Sequence, residues 1–252
     1  MSRYLIILIG WLGLGAACVS EDPGLINLDE SSLSPSHDIF GMYTGVGRPV
    51  ASCDGGVVNG EWNLDCTSFP LSEEGNDKWQ SYEADDDPGL RCEQDSLVRL
   101  LFRAFKPMEI TQLEGVISMH YEYWGVVRTI HMDGQPPPPN TPHTIHGYSV
   151  GRWQGDTLVI ETTHLAESFF RVTRGPVSDQ ARVVERYWPS PNGQDLLLDV
   201  MLDDPVYYTE PFILTRREWT WDPSAYINPW ECVDQMDLFF GEQDLDAFFT
   251  EG

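Results

Sequence analysis

The chain is poor in positive charge. Its 252 residues hold 15 Lys and Arg against 40 Asp and Glu, a formal net charge of −25, and it has just two lysines, Lys78 and Lys106. A protein this acidic repels phosphates and anionic lipids, and two lysines are too few to build a polybasic patch. Nucleic acids are therefore excluded from the partners that we expect.

Signature motifs of catalysis are scarce as well. The sequence has no His-Glu-x-x-His, no Gly-x-Gly-x-x-Gly and no Walker loop, so zincin, dinucleotide-binding and P-loop chemistry have no support. Ser149 stands two residues before Gly151, but it lies within a strand pattern, which argues against a nucleophile. These absences do not exclude an enzyme, because acid/base chemistry in a barrel needs no linear signature.

Long hydrophobic runs are confined to the N-terminus. Met1–Ala17 combines Arg3 with an apolar run and small residues, which predicts a secretory signal peptide over residues 1–17. The string Leu14-Gly15-Ala16-Ala17-Cys18 is similar to the lipobox of bacterial lipoproteins, and this similarity implies that Cys18 is lipidated and anchors the chain to a membrane. Plain cleavage is the alternative. We expect an exported protein, either an outer-membrane lipoprotein or a periplasmic one.

Cysteines are few, five in all. Without Cys18 an even four remain, which suggests two disulfides in an oxidising compartment. Three pairings are possible, and we favour Cys53–Cys66 as a local loop and Cys92–Cys232 as a link between the start and the end of the main domain. The sequence has no Cys-x-x-Cys pair, so a zinc site has no support. We predict no metal site and no cofactor.

Composition divides the mature chain into four parts. Residues 18–35 are acidic and polar, which is typical of a tether, and residues 36–87 are rich in Gly, Asp and Ser, which predicts a loop-rich N-terminal subdomain. Residues 88–233 alternate with period two, the pattern of strands with one buried face. Residues 234–252 form an acidic C-terminal tail that is either mobile or docks on a protein partner.

The main domain has the pattern of an antiparallel meander. Glu114-Gly115, Gln154-Gly155-Asp156 and Asn192-Gly193 each separate two alternating runs, as hairpin turns do. No strand–helix–strand alternation occurs. We therefore predict a mainly β protein with seven or eight strands, whose edges are best protected by closing into a lipocalin-like barrel.

Several strings in this domain resemble a widespread, largely uncharacterised family of secreted bacterial β-rich proteins. They are Arg128-Thr-Ile-His-Met-Asp-Gly134, Gly151-Arg-Trp-Gln-Gly-Asp-Thr-Leu-Val159, Val184-Glu-Arg186, Asp203-Asp-Pro205 with Tyr208-Thr-Glu-Pro211, and Glu231-Cys232. The Gly-Arg-Trp-x-Gly-Asp-Thr-Leu string is the most specific. The resemblance implies an exported β-rich domain and no established activity. Tyr148 and Val177 stand where the family pattern has histidines.

Charged and aromatic residues inside the strand patterns provide a candidate ligand site. A buried arginine needs a counter-charge, either a glutamate of the protein or the carboxylate or phosphate of a ligand, and indoles line pockets for apolar rings. The predicted ligand-binding residues are Arg128, Tyr148, Arg152, Trp153, Glu185, Trp219 and Trp221. The weaker catalytic candidates, suited to acid/base chemistry, are His120, His131, His143 and Glu122.

Together these features predict an exported envelope protein that binds a small apolar or aromatic molecule in a β-barrel cavity. Two alternatives stay open. One is a small acid/base enzyme, a hydrolase or an isomerase, that uses histidines and carboxylates in the same cavity. The other is an envelope interaction module that binds a protein partner through the acidic tail.

Overall fold

The computed structural model describes residues 39–45, 51–52, 57–58, 61–62, 69–83, 87–102, 106–170, 175–191 and 193–232. All of them belong to one compact unit, residues 32–252. The predicted signal peptide, the lipidation site Cys18, the tether, the pair Cys53 and Cys66, and the acidic tail lie outside the described residues.

The described elements are mostly strands. They are β1 Gly41–Gly45, β2 Ala51–Ser52, β3 Val57–Val58, β4 Glu61–Trp62, β5 Met108–Leu113, β6 Val116–Tyr121, β7 Val127–His131, β8 Tyr148–Gln154, β9 Thr157–Thr163, β10 Ser168–Phe170, β11 Gly175–Val177, β12 Arg182–Pro189, β13 Asp195–Asp203 and β14 Phe212–Trp221. The helices are α1 Glu73–Gln80 and α2 Leu97–Leu101, with 3-10 turns at Pro88–Arg91 and Tyr123–Gly125.

Nine of the described strands close into a barrel, so the predicted lipocalin-like architecture is confirmed. Their order round the ring is β1-β5-β6-β7-β8-β9-β12-β13-β14, and β14 pairs back with β1 at Tyr43–Trp221 and Gly45–Trp219. The short strand β2 pairs with the other half of β14, at Thr215 and Arg216. Closing the ring satisfies the backbone groups that an open sheet leaves at its edges.

One pairing in the described ring, β7 with β8, is parallel, whereas the others are antiparallel. A closed ring with an odd number of strands cannot alternate direction all the way round, so at least one neighbouring pair must be parallel. The connection between the two strands, residues 132–147, contains no helix and includes Pro136–Pro139, which cannot donate backbone hydrogen bonds. The ninth strand is β1, which comes from the segment predicted to be rich in loops.

The three predicted hairpins are present and join β5 to β6, β8 to β9, and β12 to β13. Gly155 turns the β8–β9 hairpin with a φ of +59°, a conformation that suits glycine. Position 151 requires glycine for a different reason. A Cβ there would lie 2.5 Å from Sδ of Met132 and 2.7 Å from Cγ2 of Ile130, so glycine lets β8 approach β7 closely.

Helix α2 is buried on every side and belongs to the same apolar cluster as the inward side chains of the barrel. Leu97, Val98, Leu100 and Leu101 are at most 2% exposed. A helix without a polar face is stable only when it is surrounded by protein. Its one charge, Arg99, lies 2.8 Å from Asp87 and 2.8 Å from Asp95.

A disulfide ties the two ends of the main domain together. Cys92 and Cys232 are bonded, 140 residues apart in sequence, so the predicted long-range bridge is confirmed. Within the described ranges, no helix has both the length and the apolar character needed to cross a bilayer.

The Asp203-Asp-Pro205 string has a structural role. The carboxylate of Asp204 is 1% exposed and accepts hydrogen bonds from the backbone N–H and hydroxyl of Ser178, both at 2.8 Å. It also accepts from the N–H groups of Val206 and Tyr207, at 3.1 and 3.3 Å. A buried carboxylate is stable when it accepts several such bonds, and this one fixes the chain that follows β13 against the residues after β11.

Candidate functional site

An ion pair lies inside the barrel. Arg128 on β7 donates two hydrogen bonds to Glu185 on β12, from Nη1 to Oε2 at 2.9 Å and from Nη2 to Oε1 at 2.7 Å. Both side chains are at most 1% exposed. Paired N–H···O bonds are the strong arrangement between arginine and a carboxylate. They join strands that stand three places apart in the ring.

Four hydroxyl groups surround this pair; they belong to Tyr121, Ser149, Thr162 and Tyr187. Tyr187 donates to Oε2 of Glu185 at 2.8 Å, and Nη2 of Arg128 reaches Oγ of Ser149 at 3.2 Å. The charges of a buried pair are stable when the remaining donors and acceptors are also bonded. We call these six side chains the interior network.

The interior network keeps its charges near neutral pH. Burial alone would lower the pKa of Arg128, but the charge of Glu185 outweighs burial and raises the pKa above its ordinary value. Burial raises the pKa of Tyr121 and of Tyr187, so both phenols stay protonated. The network therefore combines a charged pair with hydroxyl groups that are neutral.

Side chains from opposite walls of the barrel meet at the level of this network. The hydroxyl of Tyr121 on β6 lies 3.4 Å from that of Tyr187 on β12. Trp219 on β14 is 2% exposed, and its ring lies 6.4 Å from that of Tyr187, centroid to centroid. Side chains of β6, β12 and β14 thus come together in the barrel interior at this level.

A cleft opens in the barrel wall beside the network. In the described part of the chain, β7 and β8 pair at two positions, Ile130–Ser149 and His131–Val150, so Val127–Thr129 has no strand partner on the β8 side. The cleft has a volume of about 190 Å³. Its lining residues are Val127, Arg128, Thr129, His131, His146, Gly147, Tyr148 and Ser149.

Two residues that line the cleft, Arg128 and His146, each have a ring or guanidinium nitrogen without a hydrogen bond to a described residue. Nε of Arg128 is buried and makes no hydrogen bond to a described residue. Nε2 of His146 lies 3.0 Å from the backbone carbonyl oxygen of Asp95. A carbonyl can only accept, so Nε2 carries the proton, and in the neutral ring Nδ1 keeps a lone pair.

His146 is neutral at pH 7. Burial lowers its pKa, the hydrogen bond to Asp95 offsets part of this effect, and the positive charge of Arg128 lowers the pKa again. The net result is a pKa below the ordinary value for histidine. The ring therefore accepts a hydrogen bond through Nδ1 without becoming charged.

Two stacked rings form an aromatic side of the cleft. The rings of His131 and Tyr148 are nearly parallel, at an angle of 5°, and their centroids are 4.4 Å apart. Tyr148 is half-buried. Flat surfaces of this kind favour planar ligands.

The structure divides the predicted ligand residues between several places. Arg128 and Tyr148 line the cleft, and Glu185 is bonded to Arg128 behind it. Trp219 is a core residue. Trp153 packs edge-on against Phe40, with ring centroids 6.4 Å apart. Arg152 is half-buried, and its Nε makes no hydrogen bond to a described residue. Trp221 is half-exposed beside Gly41, where an added Cβ would lie 2.9 Å from its Nε1. Arg152, Trp153, Trp219 and Trp221 do not line the cleft.

The predicted catalytic residues are also scattered. His131 lines the cleft, whereas His120 lies on β6 between Glu109 and Val127 of the neighbouring strands, and His143 contacts the backbone near Leu165. Among the described residues, no group of three or more potential metal ligands comes together.

Glu122 lies apart from the cleft and has its own partners. It accepts hydrogen bonds from Nζ of Lys106 at 3.2 Å and from the backbone N–H and Nδ2 of Asn228 at 3.0 and 2.9 Å. Burial would raise its pKa, but these bonds prevail and lower the pKa below its ordinary value. Glu122 therefore holds the segment before Cys232 in place.

The sequence contains a Gly-x-Ser-x-Gly string at Gly147-Tyr148-Ser149-Val150-Gly151. The structure at this string is not a nucleophile elbow. Ser149 lies in strand β8, and the strand continues through Gly151 into Gln154 instead of turning into a helix. Its Oγ is 2.8 Å from Oγ1 of Thr162 and accepts from Arg128. Ser149 thus belongs to the interior network.

Sequence reasoning missed His146, Ser149 and Thr129 as site residues. The alternation in β8 does place Ser149 on the inward face with Gly151. His146 gives no such signal, because it lies in the connection before β8. Its position depends on a contact with Asp95, which is 51 residues away in sequence.

Comparison with protein families, curated proteins and solved structures finds no match to this chain. The resemblance based on the Gly-Arg-Trp string therefore stays a prediction.

Proposed function

We propose that the protein is an exported envelope protein that binds a small aromatic or apolar molecule in the cleft between β7 and β8. The observation that carries this proposal is Nε of Arg128, a buried donor without a partner among the described residues, on a side chain that lines an open cleft. A buried N–H that lacks a hydrogen bond costs free energy, and a ligand that accepts the bond recovers it.

Size and shape of the cleft favour a ligand with one ring. The volume of about 190 Å³ is below the roughly 300–1,000 Å³ of pockets for drug-sized molecules. It exceeds the roughly 150 Å³ that is enough to hold benzene in a protein interior. A planar ring would stack on Tyr148, next to His131.

Polar groups in the cleft favour a ligand that also carries an oxygen. A carbonyl or carboxylate oxygen would accept from Nε of Arg128, and a hydroxyl or amide N–H would donate to Nδ1 of His146. The amino groups of Arg128 are already bonded to Glu185, so the arginine contributes a single donor in a fixed position. Such pre-set groups reduce the entropy that binding costs.

Export and anchoring belong to the same proposal. The signal peptide, the lipid at Cys18 and a docking role for the acidic tail are predicted from sequence features outside the described residues. A lipid anchor would hold the barrel at a membrane, where small apolar molecules are concentrated.

Native mass spectrometry of the full chain, purified from its own envelope fraction, tests the binding proposal. We expect one small molecule per chain, released on mild denaturation and identified by its mass. Tyr148→Ala removes the aromatic wall of the cleft and is expected to lose the ligand. Tyr226→Ala is the matched control, because Tyr226 is 70% exposed and does not line the cleft.

Two outcomes would overturn the proposal. A ligand that stays bound with unchanged affinity in Tyr148→Ala would lie elsewhere in the protein. A bare chain that binds nothing from extracts of the same envelope fraction would remove the binding function altogether.

A second candidate function, acid/base catalysis, rests on the two histidines in the cleft. His146 is neutral and has a free Nδ1, which suits a general base, and His131 stands across the same cleft. The test is turnover of the ligand once it is identified. His146→Gln is expected to abolish turnover and retain binding; turnover that persists in this variant excludes the role.

A further inference from the structure

Two histidines meet outside the cleft, at a junction that the sequence does not reveal. His143 lies in the connection before β8, and His164 directly follows β9. Their ring centroids are 5.2 Å apart, with the planes tilted by 44°. The sequence pairs His143 with His146 by spacing, but in the fold His146 contacts Asp95 and His143 faces His164.

Both rings are held through the same nitrogen. Nδ1 of His143 lies 2.9 Å from the carbonyl oxygen of Leu165, and Nδ1 of His164 lies 3.0 Å from Oγ1 of Thr163. Neither Nε2 makes a hydrogen bond in the described part of the chain. Metal-binding histidines are held in this way, with one ring nitrogen on a backbone or side-chain oxygen and the other on the metal.

The separation of the rings fits a shared metal ion. A metal at about 2.0–2.1 Å from an imidazole nitrogen lies roughly 3.2 Å from the ring centre. Two such rings at a tetrahedral angle have centres about 5.2 Å apart. The observed centroid separation is 5.2 Å, so the two rings are close enough to share one ion.

The backbone holds the two histidines in place. Thr144, next to His143, pairs with Leu165 in an isolated parallel bridge, and its N–H donates to the carbonyl of His164 at 3.0 Å. Its own carbonyl accepts from Ala166 N–H at 2.7 Å. His164 has a φ of +56°, a left-handed conformation that is unfavourable for histidine and that occurs often at functional sites.

We propose that His143 and His164 form a binding site for one divalent transition-metal ion, such as Zn²⁺ or Cu²⁺. Imidazole nitrogens suit these ions, and the net charge of −25 attracts cations to the protein. His143 is exposed, so the ion has direct access, and its remaining coordination positions are open to water or to a ligand. This site is independent of the cleft.

Calorimetric titration of the full chain with ZnCl₂ at pH 7.5 tests the site. We expect one equivalent of Zn²⁺ to bind, with an affinity at least about tenfold lower in His143→Ala and in His164→Asn. Asparagine is chosen at position 164 because it tolerates a positive φ. His120→Asn is the control, because His120 lies on β6 and is expected to leave Zn²⁺ affinity unchanged.

Electron paramagnetic resonance with one equivalent of Cu²⁺ adds a direct readout of the ligands. We expect hyperfine splitting from two imidazole nitrogens in the parent protein and from one in His143→Ala. Zn²⁺ binding that is the same in the parent protein and in a variant that carries both His143→Ala and His164→Asn would place the metal elsewhere and overturn the proposal. A titration without stoichiometric binding in the parent protein would likewise overturn the proposal.

Discussion

Arg128 has two different surroundings. Its amino groups bind Glu185 in the barrel interior, whereas its Nε has no partner in the described part of the chain and the residue lines the cleft. The same side chain therefore stabilises the fold and is available to a ligand. A substitution of Arg128 would change both the stability of the fold and the binding of a ligand. Tyr148 is therefore the better probe of the cleft.

Replacing Arg128 by Met leaves the Glu185 carboxylate buried without a counter-charge. We expect the free energy of unfolding to fall by about 3–5 kcal/mol, measured by urea denaturation. Combining Arg128→Met with Glu185→Leu removes both charges and is expected to recover most of that loss. A double variant as unstable as the single one would show that the charge is not the cause.

Arg186→Ala is the control for this experiment. Arg186 is exposed on the outer face of β12, where Nη1 donates to Oε1 of Gln154 at 3.3 Å. Removal of one exposed arginine is expected to change the free energy of unfolding by less than about 0.5 kcal/mol.

His146 is expected to make stability depend on pH. Its pKa is lowered in the folded protein, so the unfolded chain takes up a proton first as the pH falls below about 6.5. Stability therefore declines with acidification in this range. We expect the decline in unfolding free energy between pH 7 and pH 5.5 to be smaller in His146→Gln, and equal slopes would contradict this.

At the scale of elements, the parallel pair β7–β8 sets the position of the cleft. β7 and β8 pair at two positions, whereas β8 and β9 pair at seven positions. The strands separate on the N-terminal side of β7, and Arg128 and Ser149 of the interior network line the cleft. An odd number of strands requires a parallel pair, and the cleft lies beside the parallel pair of this barrel.

Gly151 allows β7 and β8 to approach each other closely. Gly151→Ala would push a methyl group against Ile130 and Met132, and we expect a loss of about 1–3 kcal/mol in unfolding free energy. Gly155→Ala meets nothing within 4 Å and is strained only by its φ of +59°, so it is expected to cost about 1 kcal/mol. Urea denaturation of both variants checks this order, and the reverse order would contradict it.

Most barrel strands could be predicted from the sequence because each has one buried and one exposed face. The predicted hairpin turns lie between β5 and β6, β8 and β9, and β12 and β13 in the structure. Strand β1 was missed because five residues next to glycines carry no clear alternation. Helix α2 was missed because it is buried all round and so lacks a period of 3.6.

The candidate site was only partly predictable, because it depends on pairings between distant segments. The sequence placed Arg128 and Glu185 inside strand patterns, and the cost of an unpaired buried charge suggested an arginine–glutamate pair. The cleft follows from the parallel pair, which the hairpin signals did not predict. The pair of His143 and His164 depends on a bridge between Thr144 and Leu165 that no local pattern indicates.

At the scale of the whole molecule, the Cys92–Cys232 disulfide spans most of the barrel. A loop of 140 residues loses much conformational entropy when it is closed in the unfolded chain. The bond therefore stabilises the fold mainly by restricting the unfolded state. This matters for an acidic chain, because self-repulsion of its charges favours expansion.

Replacing both Cys92 and Cys232 by Ser tests this effect. The chain-entropy relation gives a loss of about 5 kcal/mol for a loop of this size. We expect a lower urea midpoint in the double variant than in the parent protein under non-reducing conditions. A loss below about 1 kcal/mol would mean that the unfolded chain is already compact.

The same disulfide changes how the chain is connected. Residues 92–232 form a closed covalent ring that contains eight of the nine barrel strands, β5 to β9 and β12 to β14. A protease that cuts once in the exposed connection between β7 and β8 opens this ring without releasing a fragment. The nicked protein keeps its mass, apart from one added water, until a reductant separates the pieces. A protein with this connectivity survives a single cut as one molecule.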